Sequence, residues 1–563
     1  MESIERFVAE QLAAWEVPGC AIAAVRAGDV VLASGWGRRD LEAELPVTPG
    51  TLFAIGSTTK AFTAATVGAL VDEGSLEWER PVRDYVPGLR LDDLVVSDRL
   101  TIVDLLSHRS GLPRHDLAWI GHPDRSRSEL VRRLCFLPLS KDLRQEFQYC
   151  NLGYLMAGHL VEVLSGTPWE DFLRSELLEP LGMGRSNLSA ADLRADPDHA
   201  TGYERRQGVV APVPPRPMPA MTPAGGINSC ASDLARWLLA QLGEGRVDGQ
   251  AVMSASTVGY QHAPHMVLPE DRTFPASTRH AYGLGWMIGR YRDHRLVEHG
   301  GGIDGFLTEC MLLPDDGIGV AVMTNTSSSA MAPVVAYRVL DELLGLEPFD
   351  WFSPFKARYD AATQGIREAR GARRVVPGTP LPRPLDAYAG DYQHPGYGTL
   401  TITIDGDNLQ PRLGTMDLSL AHRHYETFDL EWHELGDQSH IFPLMFLSDP
   451  DGDITALTVP FEPSVGPLRF DRLPDARARD PEVLRRLCGT YAMGPIEVVV
   501  AQRSDHVLTI TIPGAPPFEL QPGRGLRFEV KGYPGITGEF ELDETGAVAR
   551  LVAQPLGIFH PKT

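Results

Sequence analysis

A serine and a lysine three residues apart are the first residues in this sequence whose types and spacing could do chemistry. They lie in Ile55-Gly56-Ser57-Thr58-Thr59-Lys60, at the entrance to a helical pattern. This spacing puts both side chains on one helix face, one turn apart. A hydroxyl is a poor nucleophile until a base takes its proton, and a lysine can act as that base when burial lowers its pKa. The pair therefore predicts a serine nucleophile.

The same spacing occurs again at Ser353-Pro354-Phe355-Lys356, so spacing alone does not decide. The chain has only five lysines among its 52 basic residues, which makes either match uncommon. Two further motifs follow the first match along the chain, first Tyr149-Cys150-Asn151 and then His299-Gly300-Gly301. Nothing comparable follows the second match. Ser57 and Lys60 are therefore predicted to be catalytic, and Ser353 and Lys356 are not.

As an ordered set these motifs resemble those of the serine β-lactamase and penicillin-recognising hydrolase superfamily. The class C-type peptidase and esterase branch is the most similar. The resemblance covers about residues 5–345. It includes LTIVDLLSHRSGLP (100–113), PLGM (180–183) and PAGGINSCASDLARW (223–237). It implies a covalent acyl-enzyme and requires neither a metal nor another cofactor.

The resemblance also implies a role for each site residue. Ser57 becomes acylated, Lys60 takes part in proton transfer, and Tyr149 is the general base for acylation and the acid for the leaving amine. The ordinary pKa of a tyrosine is near 10, so Lys60 is expected to lower the pKa of Tyr149. The expected substrate-binding residues are Asn151, His299 and Gly301. The backbone N–H groups of Ser57 and Gly302 are expected to form the oxyanion hole.

The third motif departs from the usual family pattern, which is Lys-[Ser/Thr]-Gly. In this chain it is His299-Gly300-Gly301. The usual lysine and hydroxyl serve an anionic group of the substrate, whereas a histidine is a weaker and pH-dependent cation. The His-x-Gly version resembles aminopeptidase and amide-hydrolysing members, which makes β-lactamase or carboxypeptidase action a weaker expectation.

The expected function is a serine hydrolase acting through an acyl-enzyme on a small amide or short peptide, with a preference for D-residues as one option. A carboxylesterase, a β-lactamase-like hydrolase and a peptide cyclase or other acyltransferase remain open, because all share the first half-reaction. A non-catalytic sensor is disfavoured, because it would have no reason to keep Ser57, Lys60 and Tyr149 together.

The strand and helix patterns that must position these residues indicate an α+β domain over residues 1–350. Its strand patterns stand at both ends: 21–25 and 30–36, joined by a turn at Gly28-Asp29, and then 282–288, 295–301, 305–313 and 317–325. Helical patterns lie between them at 58–74, 101–107, 128–136, 153–165, 169–178 and 231–243, with a last helix at 332–345. One antiparallel sheet closed by both ends, with helices on its faces and a helical insertion, is predicted.

The rest of the chain is predicted to be a helix and Pro-rich linker at 351–384, followed by two small barrels at 385–475 and 482–563. An internal repeat indicates the two barrels. Leu385-x-x-Tyr388-x-Gly390-x-Tyr392 aligns with Leu484-x-x-Leu487-x-Gly489-x-Tyr491, and Asp449-x-x-Gly452 aligns with Asp543-x-x-Gly546. The offsets of 99 and 94 indicate a duplicated β domain. It resembles the lipocalin-like barrels appended to intracellular D-aminopeptidases and related S12 peptidases. A turn-rich loop such as 531–538 is the expected cap of the cleft if the barrels restrict substrate length, and self-association through the barrels is the equal alternative.

Composition limits the partners. The chain of 563 residues has 74 acidic against 52 basic side chains and a net charge of −22, which disfavours binding to nucleic acid and to anionic membranes. No apolar run is long enough to span a membrane. Six scattered cysteines without a CxxC pair predict neither a zinc site nor a disulfide scaffold. No signal peptide is identified, so a cytoplasmic location is expected, and self-association is left open.

Overall fold

The computed structural model describes residues 2–206, 208–274, 276–371, 373–433, 440–450, 452–504 and 506–562. A mixed helix and strand region comes first, and two eight-stranded β structures follow it. Within the described residues no helix is long and apolar enough to cross a membrane.

The first region is built on a nine-stranded antiparallel sheet. Its first long strand in the chain pairs with its last, with Cys20 opposite Thr324, which confirms the predicted sheet closed by both ends. The strands in spatial order are Met266–Phe274, Ser277–Tyr282, Met287–Tyr291, His294–Ile303, Phe306–Leu313, Ile318–Thr324, Gly19–Arg26, Asp29–Asp40 and Leu45–Pro46.

Helices cover both faces of this sheet. Alternate residues of Gly19–Arg26 point to two separate apolar cores, because successive strand side chains face opposite ways. The helices are Glu2–Trp15, Thr59–Asp72, Leu94–Arg99, Ile102–Leu106, Leu117–Ile120, Arg127–Arg133, Asn151–Ser165, Trp169–Leu173, Glu179–Leu181, Ala190–Ala195, Thr222–Gly225, Ala231–Leu242, Ala255–Gln261, Met331–Leu344 and Phe352–Gly371. Three two-stranded sheets complete the region: Phe53–Ala54 with Asn228–Ser229, Gly202–Arg206 with Val209–Val213, and Arg246–Val247 with Gln250–Ala251.

Two local expectations need correction. The first hairpin turns at Ala27-Gly28 rather than at Gly28-Asp29, because Arg26 pairs directly with Asp29. Both turn residues have positive φ, 52° and 89°, as a two-residue hairpin turn matching the strand twist requires.

The predicted strand 282–288 is two strands joined by the non-strand residues 283–286. Gly285 has φ +79°, and a Cβ added there would lie 2.7 Å from the Cα of Ala61. The segment therefore lies against the start of the Lys60 helix, and a regular strand could not pass there.

The first barrel is a nearly closed sheet of eight strands and the second is a closed barrel of eight strands, as the repeat predicts. The first consists of Gly390–His394, Gly398–Asp405, Asn408–Leu413, Leu418–His424, Thr427–Trp432, His440–Ser448, Ile454–Val459 and Leu468–Arg472, after the short helix Leu385–Tyr388. The second consists of Gly489–Met493, Ile496–Ser504, Val507–Thr511, Phe518–Pro522, Arg527–Val530, Thr537–Leu542, Val548–Gln554 and Gly557–Pro561, after Pro481–Arg486.

Both landmarks of the repeat make the same contacts in the two barrels. The hydroxyl of Tyr392 donates to the carbonyl of Tyr388 at 2.8 Å, and the hydroxyl of Tyr491 donates to that of Leu487 at 2.8 Å. Asp449 and Asp543 each begin the turn between the sixth and seventh strands, where each carboxylate accepts a backbone N–H four residues on, at 2.8 and 3.1 Å.

The first barrel is docked firmly on the sheet-and-helix region. The hydroxyl of Tyr397 lies 2.7 Å from Nδ1 of His115, and the backbone N–H of His115 donates to Glu462 at 3.0 Å. One apolar core runs through both parts, whereas the second barrel has a core of its own. The domain limits at 350, 385, 475 and 482 stay a prediction.

Candidate active site

Ser57 lies in a tight turn, Gly56–Thr58, that leads into the helix Thr59–Asp72. The strand that carries the third motif presses against this turn. A Cβ on Gly301 would lie 2.0 Å from the carbonyl oxygen of Ile55 and 3.0 Å from the nitrogen of Ser57. A Cβ on Gly56, at φ +53°, would lie 2.8 Å from the nitrogen of Gly302. The glycines therefore bring the backbone nitrogen of Gly302 beside the turn that holds Ser57.

Lys60 is fully buried, and its amine has three oxygen neighbours. Nζ lies 2.9 Å from Oγ of Ser57, 2.9 Å from Oδ1 of Asn151 and 2.7 Å from the carbonyl oxygen of Ala224. Burial holds the pKa of Lys60 well below its ordinary value, and the positive charge of Arg114 lowers it further. The two carbonyl oxygens can only accept, so a neutral amine would give them its two N–H groups and keep its lone pair for the Ser57 hydroxyl.

Asn151 is the first residue of the helix Asn151–Ser165, and its side chain connects Lys60 to a carboxylate. Its Nδ2 donates to Oδ1 of Asp116 at 3.1 Å. A carboxylate can only accept here, so the amide orientation is fixed, with Oδ1 toward Lys60. The Asn151 side chain therefore links the Lys60 amine to the Asp116 carboxylate.

Tyr149 stands over the lysine, but its pKa is shifted the other way from the sequence expectation. Its ring centroid is 4.9 Å from Nζ of Lys60 and 5.2 Å from the guanidinium carbon of Arg114. Burial raises the pKa of Tyr149 above its ordinary value, although the Ser57 hydroxyl and Arg114 oppose this. At neutral pH the side chain is a neutral phenol, suited to donate a proton rather than to act as a phenolate base.

His108 and Cys150 make contacts inside the protein rather than with the cavity in front of Ser57. Nδ1 of His108 accepts from the backbone N–H of Cys150 at 3.1 Å, and the His108 ring lies 4.4 Å from the Tyr149 ring. The Cys150 thiol is buried, which raises its pKa to about 12. These contacts hold the Tyr149-Cys150-Asn151 segment in place.

His299 is placed differently from the expectation. Its side chain is buried and does not line the cavity in front of Ser57. Its Nδ1 lies 2.6 Å from the carbonyl oxygen of Gly300 and must donate to it, so Nε2 accepts from the Tyr282 hydroxyl at 2.8 Å. Burial and the charge of Lys60 lower the pKa of His299 to about 3. It is therefore neutral, and the expected pH-dependent cation for the substrate is not present.

The reaction cavity, as we call the space in front of Ser57, has a volume of about 290 Å³. Ser57, Asn151 and Gly302 line it, as expected, whereas Gly301 packs behind the Ser57 turn. Other lining residues were not assigned to the site from sequence: Arg114, Asp116, Trp119, Arg216, Met218, Asp304 and Trp432. Arg114 and Asp116 lie within three residues of the end of the 100–113 segment, so their position in the sequence could have indicated a role in the site. No motif in the sequence surrounds Trp432 to indicate the same.

Trp432 belongs to the first barrel, at the end of the strand Thr427–Trp432. It is buried, and its indole nitrogen has no hydrogen-bond partner within the described residues. The expected cap, 531–538, lies in the second barrel, and no described residue of that barrel lines the reaction cavity. The first barrel therefore contributes the wall that was expected from the second.

Two further cavities of about 660 and 330 Å³ adjoin the reaction cavity and share Arg216, Ile303 and Asp304 with it. The backbone N–H of Arg216 donates to Oδ2 of Asp304 at 2.6 Å, and their side chains form an ion pair at 3.4 Å. This pair stands where the three cavities meet. The space available to a substrate is therefore larger than the reaction cavity alone.

The second Ser-x-x-Lys match has a different environment. Lys356 is half-exposed on the helix Phe352–Gly371, and its amine pairs with Asp360 at 2.7 Å. An ammonium paired with a carboxylate is a poor base. Among the described residues there is also no group of three or more side chains that could hold a metal ion.

Known proteins share this architecture. The Beta-lactamase family profile matches residues 4–344, and the profile of a domain of unknown function (DUF3471) matches residues 374–472. Unguisins hydrolase ungD' of Aspergillus campestris is 33% identical over 82% of this chain and 89% of its own length. Penicillin-binding protein 4 of Amycolatopsis lactamdurans is 30% identical over 60% of this chain and 89% of its own length.

Among solved structures, that of the octameric penicillin-binding protein homologue from Pyrococcus abyssi covers 91% of this chain and 98% of its own, with a TM-score of 0.55. At 23% identity this is a likeness of fold. The family profile, by contrast, covers more than half of the chain and includes Ser57, Lys60, Tyr149, Asn151, His299 and Gly302. The chain is therefore a member of the Beta-lactamase family.

Proposed function

We propose that this chain is a serine hydrolase that forms an acyl-enzyme at Ser57 and cleaves amide bonds. The observation that carries the proposal is the buried amine of Lys60, 2.9 Å from Oγ of Ser57, with two obligate acceptors as its other partners. The neutral amine takes the Ser57 proton as Oγ attacks the carbonyl carbon. The N–H groups of Ser57 and Gly302 would receive the negative oxygen, a contribution of about 10²–10³ in rate per donor.

In the second half of acylation the C–N bond breaks and the leaving nitrogen needs a proton. Tyr149 supplies it, because the phenol is neutral and lies close to both Ser57 and Lys60. The protonated Lys60 then returns a proton to Tyr149, so both groups are reset. In deacylation the proton transfers run in reverse: Tyr149 first passes its proton to Lys60 and then takes a proton from the attacking water, and Lys60 returns a proton to Oγ of Ser57 as the acid leaves. In acylation the base is therefore Lys60 and the acid is Tyr149.

The substrate we propose is a peptide or peptide-like amide longer than a single aminoacyl amide, with a D-residue preference retained from the sequence. Three cavities meeting at Arg216 and Asp304 support the length. The name of the unguisins hydrolase, a relative that matches 82% of this chain, supports hydrolysis as the reaction. Neutral His299 supplies no fixed cation, and Arg114 is already paired with Asp116 at 2.7 Å. The carboxylate of a β-lactam would therefore be bound weakly.

Self-association and the absence of a cofactor stay predictions. The octameric state belongs to the Pyrococcus abyssi protein, and a likeness at 23% identity bears on the fold alone.

The decisive experiment scores acyl adducts and turnover together by mass spectrometry. The panel contains D- and L-aminoacyl amides, peptides of increasing length, an unguisin, nitrophenyl esters and a β-lactam. Adducts on Ser57 and turnover of an amide are expected. Ser57→Ala should form no adduct, whereas the matched control Ser353→Ala should behave like the natural protein. Turnover of esters alone would instead favour a carboxylesterase and overturn the amidase assignment.

A further inference from the structure

The second barrel encloses an apolar cavity that the proposed reaction does not use. Its volume is about 280 Å³. Only Tyr533 and Thr537 among its lining residues carry a polar side-chain group, and the rest are hydrocarbon or glycine. Tyr533 and Leu556 are each 49% exposed and so mark its opening to solvent.

The first barrel, the other copy of the repeat, has larger buried side chains at two of the corresponding positions. The offset of 94 set by Asp449 and Asp543 aligns Leu444 with Gly538 and Val459 with Ala553. The strand registers agree, because Phe446 faces Leu457 and Phe540 faces Leu551 at the same offset. Leu444 and Val459 are completely buried in the first barrel.

Two adjacent core side chains are therefore reduced to glycine and alanine in the second barrel. Gly538 and Ala553 face each other across neighbouring strands, and both line the cavity. The loss of side-chain volume at these two positions is thus particular to the second copy.

A hole of this kind is unusual in a protein interior, which is normally packed like an organic crystal. Apolar cavities do not hold water well, and one of about 150 Å³ is large enough to take up benzene. The cavity here is about twice that size, and eight-stranded barrels are wide enough to hold one small ligand.

We propose that the second barrel is a binding site for one uncharged apolar group, such as a medium-length aliphatic chain. The group enters between Tyr533 and Leu556 and ends against Gly538 and Ala553. Charged molecules are excluded, because among the described residues no charged side chain lines the cavity to replace their hydration.

The test uses the full-length protein and the neutral fluorescent probe N-phenyl-1-naphthylamine. Saturable one-to-one binding, displaced by 1-decanol, is expected. The double variant Gly538→Leu/Ala553→Val copies the first barrel and should weaken binding by about tenfold or more. A Cβ at Gly538 would meet only the flexible end of Leu551, at 3.1 Å, so the barrel has room to accept it.

Glu539→Leu is the matched control, because it adds the same side chain to the outside of the same strand and should leave probe binding unchanged. Circular dichroism checks that each variant is folded. If the double variant does not fold, Ala553→Val alone should still weaken binding, and 1-decanol should raise the thermal unfolding midpoint of the natural protein. The proposal would be overturned by a lack of saturable probe binding or by no rise in that midpoint. It would also be overturned if the folded double variant bound the probe as tightly as the natural protein does.

Discussion

At the scale of single residues, the protonation state of Lys60 determines whether its amine can take the proton of Ser57. Nζ is fully buried, and Arg114 and Asp116 act on its pKa in opposite directions. Burial penalises the charged form, so the free amine becomes accessible at a lower pH than for an ordinary lysine. The acid limb of the pH–rate profile should therefore report Lys60.

Replacing each of the two neighbours should move that limb in opposite directions. Asp116→Asn removes the charge that raises the pKa of Lys60 but keeps an oxygen for Asn151, so the limb should move to lower pH. Arg114→Gln removes a charge that lowers this pKa, so the limb should move to higher pH. The measurement is kcat/KM against pH with a nitrophenyl ester, and two shifts in the same direction would contradict the assignment of the base.

Tyr149→Phe should separate amides from activated esters. An amine leaves only with a proton, whereas a nitrophenolate leaves without one. If Tyr149 is the acid, the variant should lose about 10²–10⁴ in kcat/KM on an amide and far less on the ester. Both substrates would be assayed with one enzyme preparation. Equal losses on the two would mean that Tyr149 positions the site and does not donate the proton.

The residues of the site could be predicted from sequence better than their protonation states. Ser57, Lys60, Tyr149 and Asn151 stand in short motifs, and the structure brings them together. The pKa shifts depend on burial and on the Ala224 carbonyl, which are set by the whole fold. This is why Tyr149 was expected to have a lowered pKa and His299 to be a cation.

At the scale of elements, the strand His294–Ile303 packs directly against the turn that holds Ser57. Gly301 has no room for a side chain toward Ile55 and Ser57. The neighbouring Gly300 is exposed, and a Cβ there would come within 3.4 Å only of the Glu309 carboxylate, at 3.1 Å. The two positions therefore form a natural pair for testing how closely the strand must approach.

Gly301→Ala should push the strand away from the Ser57 turn and displace the N–H of Gly302. We expect a loss of about 10² or more in kcat, as for removal of one oxyanion donor, and a destabilisation of about 1–3 kcal/mol. Gly300→Ala should change both much less. Kinetics and urea unfolding of the two variants decide this, and similar effects at both positions would argue against the close approach.

Elements with strong local signals could be predicted, and those set by distant contacts could not. The Gly28 hairpin and the closing strand 317–325 follow from alternating apolar residues and turn chemistry. Residues 282–288 have the same apolar pattern, yet four of them form a connection, because Gly285 is pressed against the Lys60 helix. Nothing in the sequence near Gly285 indicates that neighbour.

At the scale of the whole molecule, the first barrel forms part of the candidate site. It supplies Trp432 to the reaction cavity and holds the segment that begins at His115 and carries Asp116 and Trp119. Nε2 of His115 donates to the carbonyl of Pro138 at 2.9 Å, so Nδ1 accepts from the Tyr397 hydroxyl. The docking contact is therefore a buried and directional hydrogen bond.

Tyr397→Phe should weaken both the fold and the reaction. It leaves Nδ1 of His115 buried without a donor, which costs about 1–3 kcal/mol, and it loosens the segment next to Asp116. Urea unfolding and kcat/KM on a peptide would both be measured. Tyr425→Phe is the control, because Tyr425 is on the same barrel and largely exposed. A variant as stable and active as this control would show that docking does not support the site.

The repeat made two barrels predictable, but not which of them touches the cleft. Tyr392 and Tyr491 occupy the same position in each copy. The difference lies in scattered partners, such as Tyr397 and Glu462 in the first barrel, which meet His115 far away in sequence. A turn-rich segment such as 531–538 suggested a cap, although the position of each barrel depends on these long-range contacts.

The pairing of the first long strand with the last has a consequence for synthesis on the ribosome. Gly19–Arg26 lies between two neighbours, one of which, Ile318–Thr324, is translated roughly 300 residues later. At about 5–20 residues per second, this is a delay of roughly 15–60 s. During that time seven residues that are buried in the finished sheet wait without their second partner, so the nascent chain presents an extended apolar segment of the kind that chaperones bind.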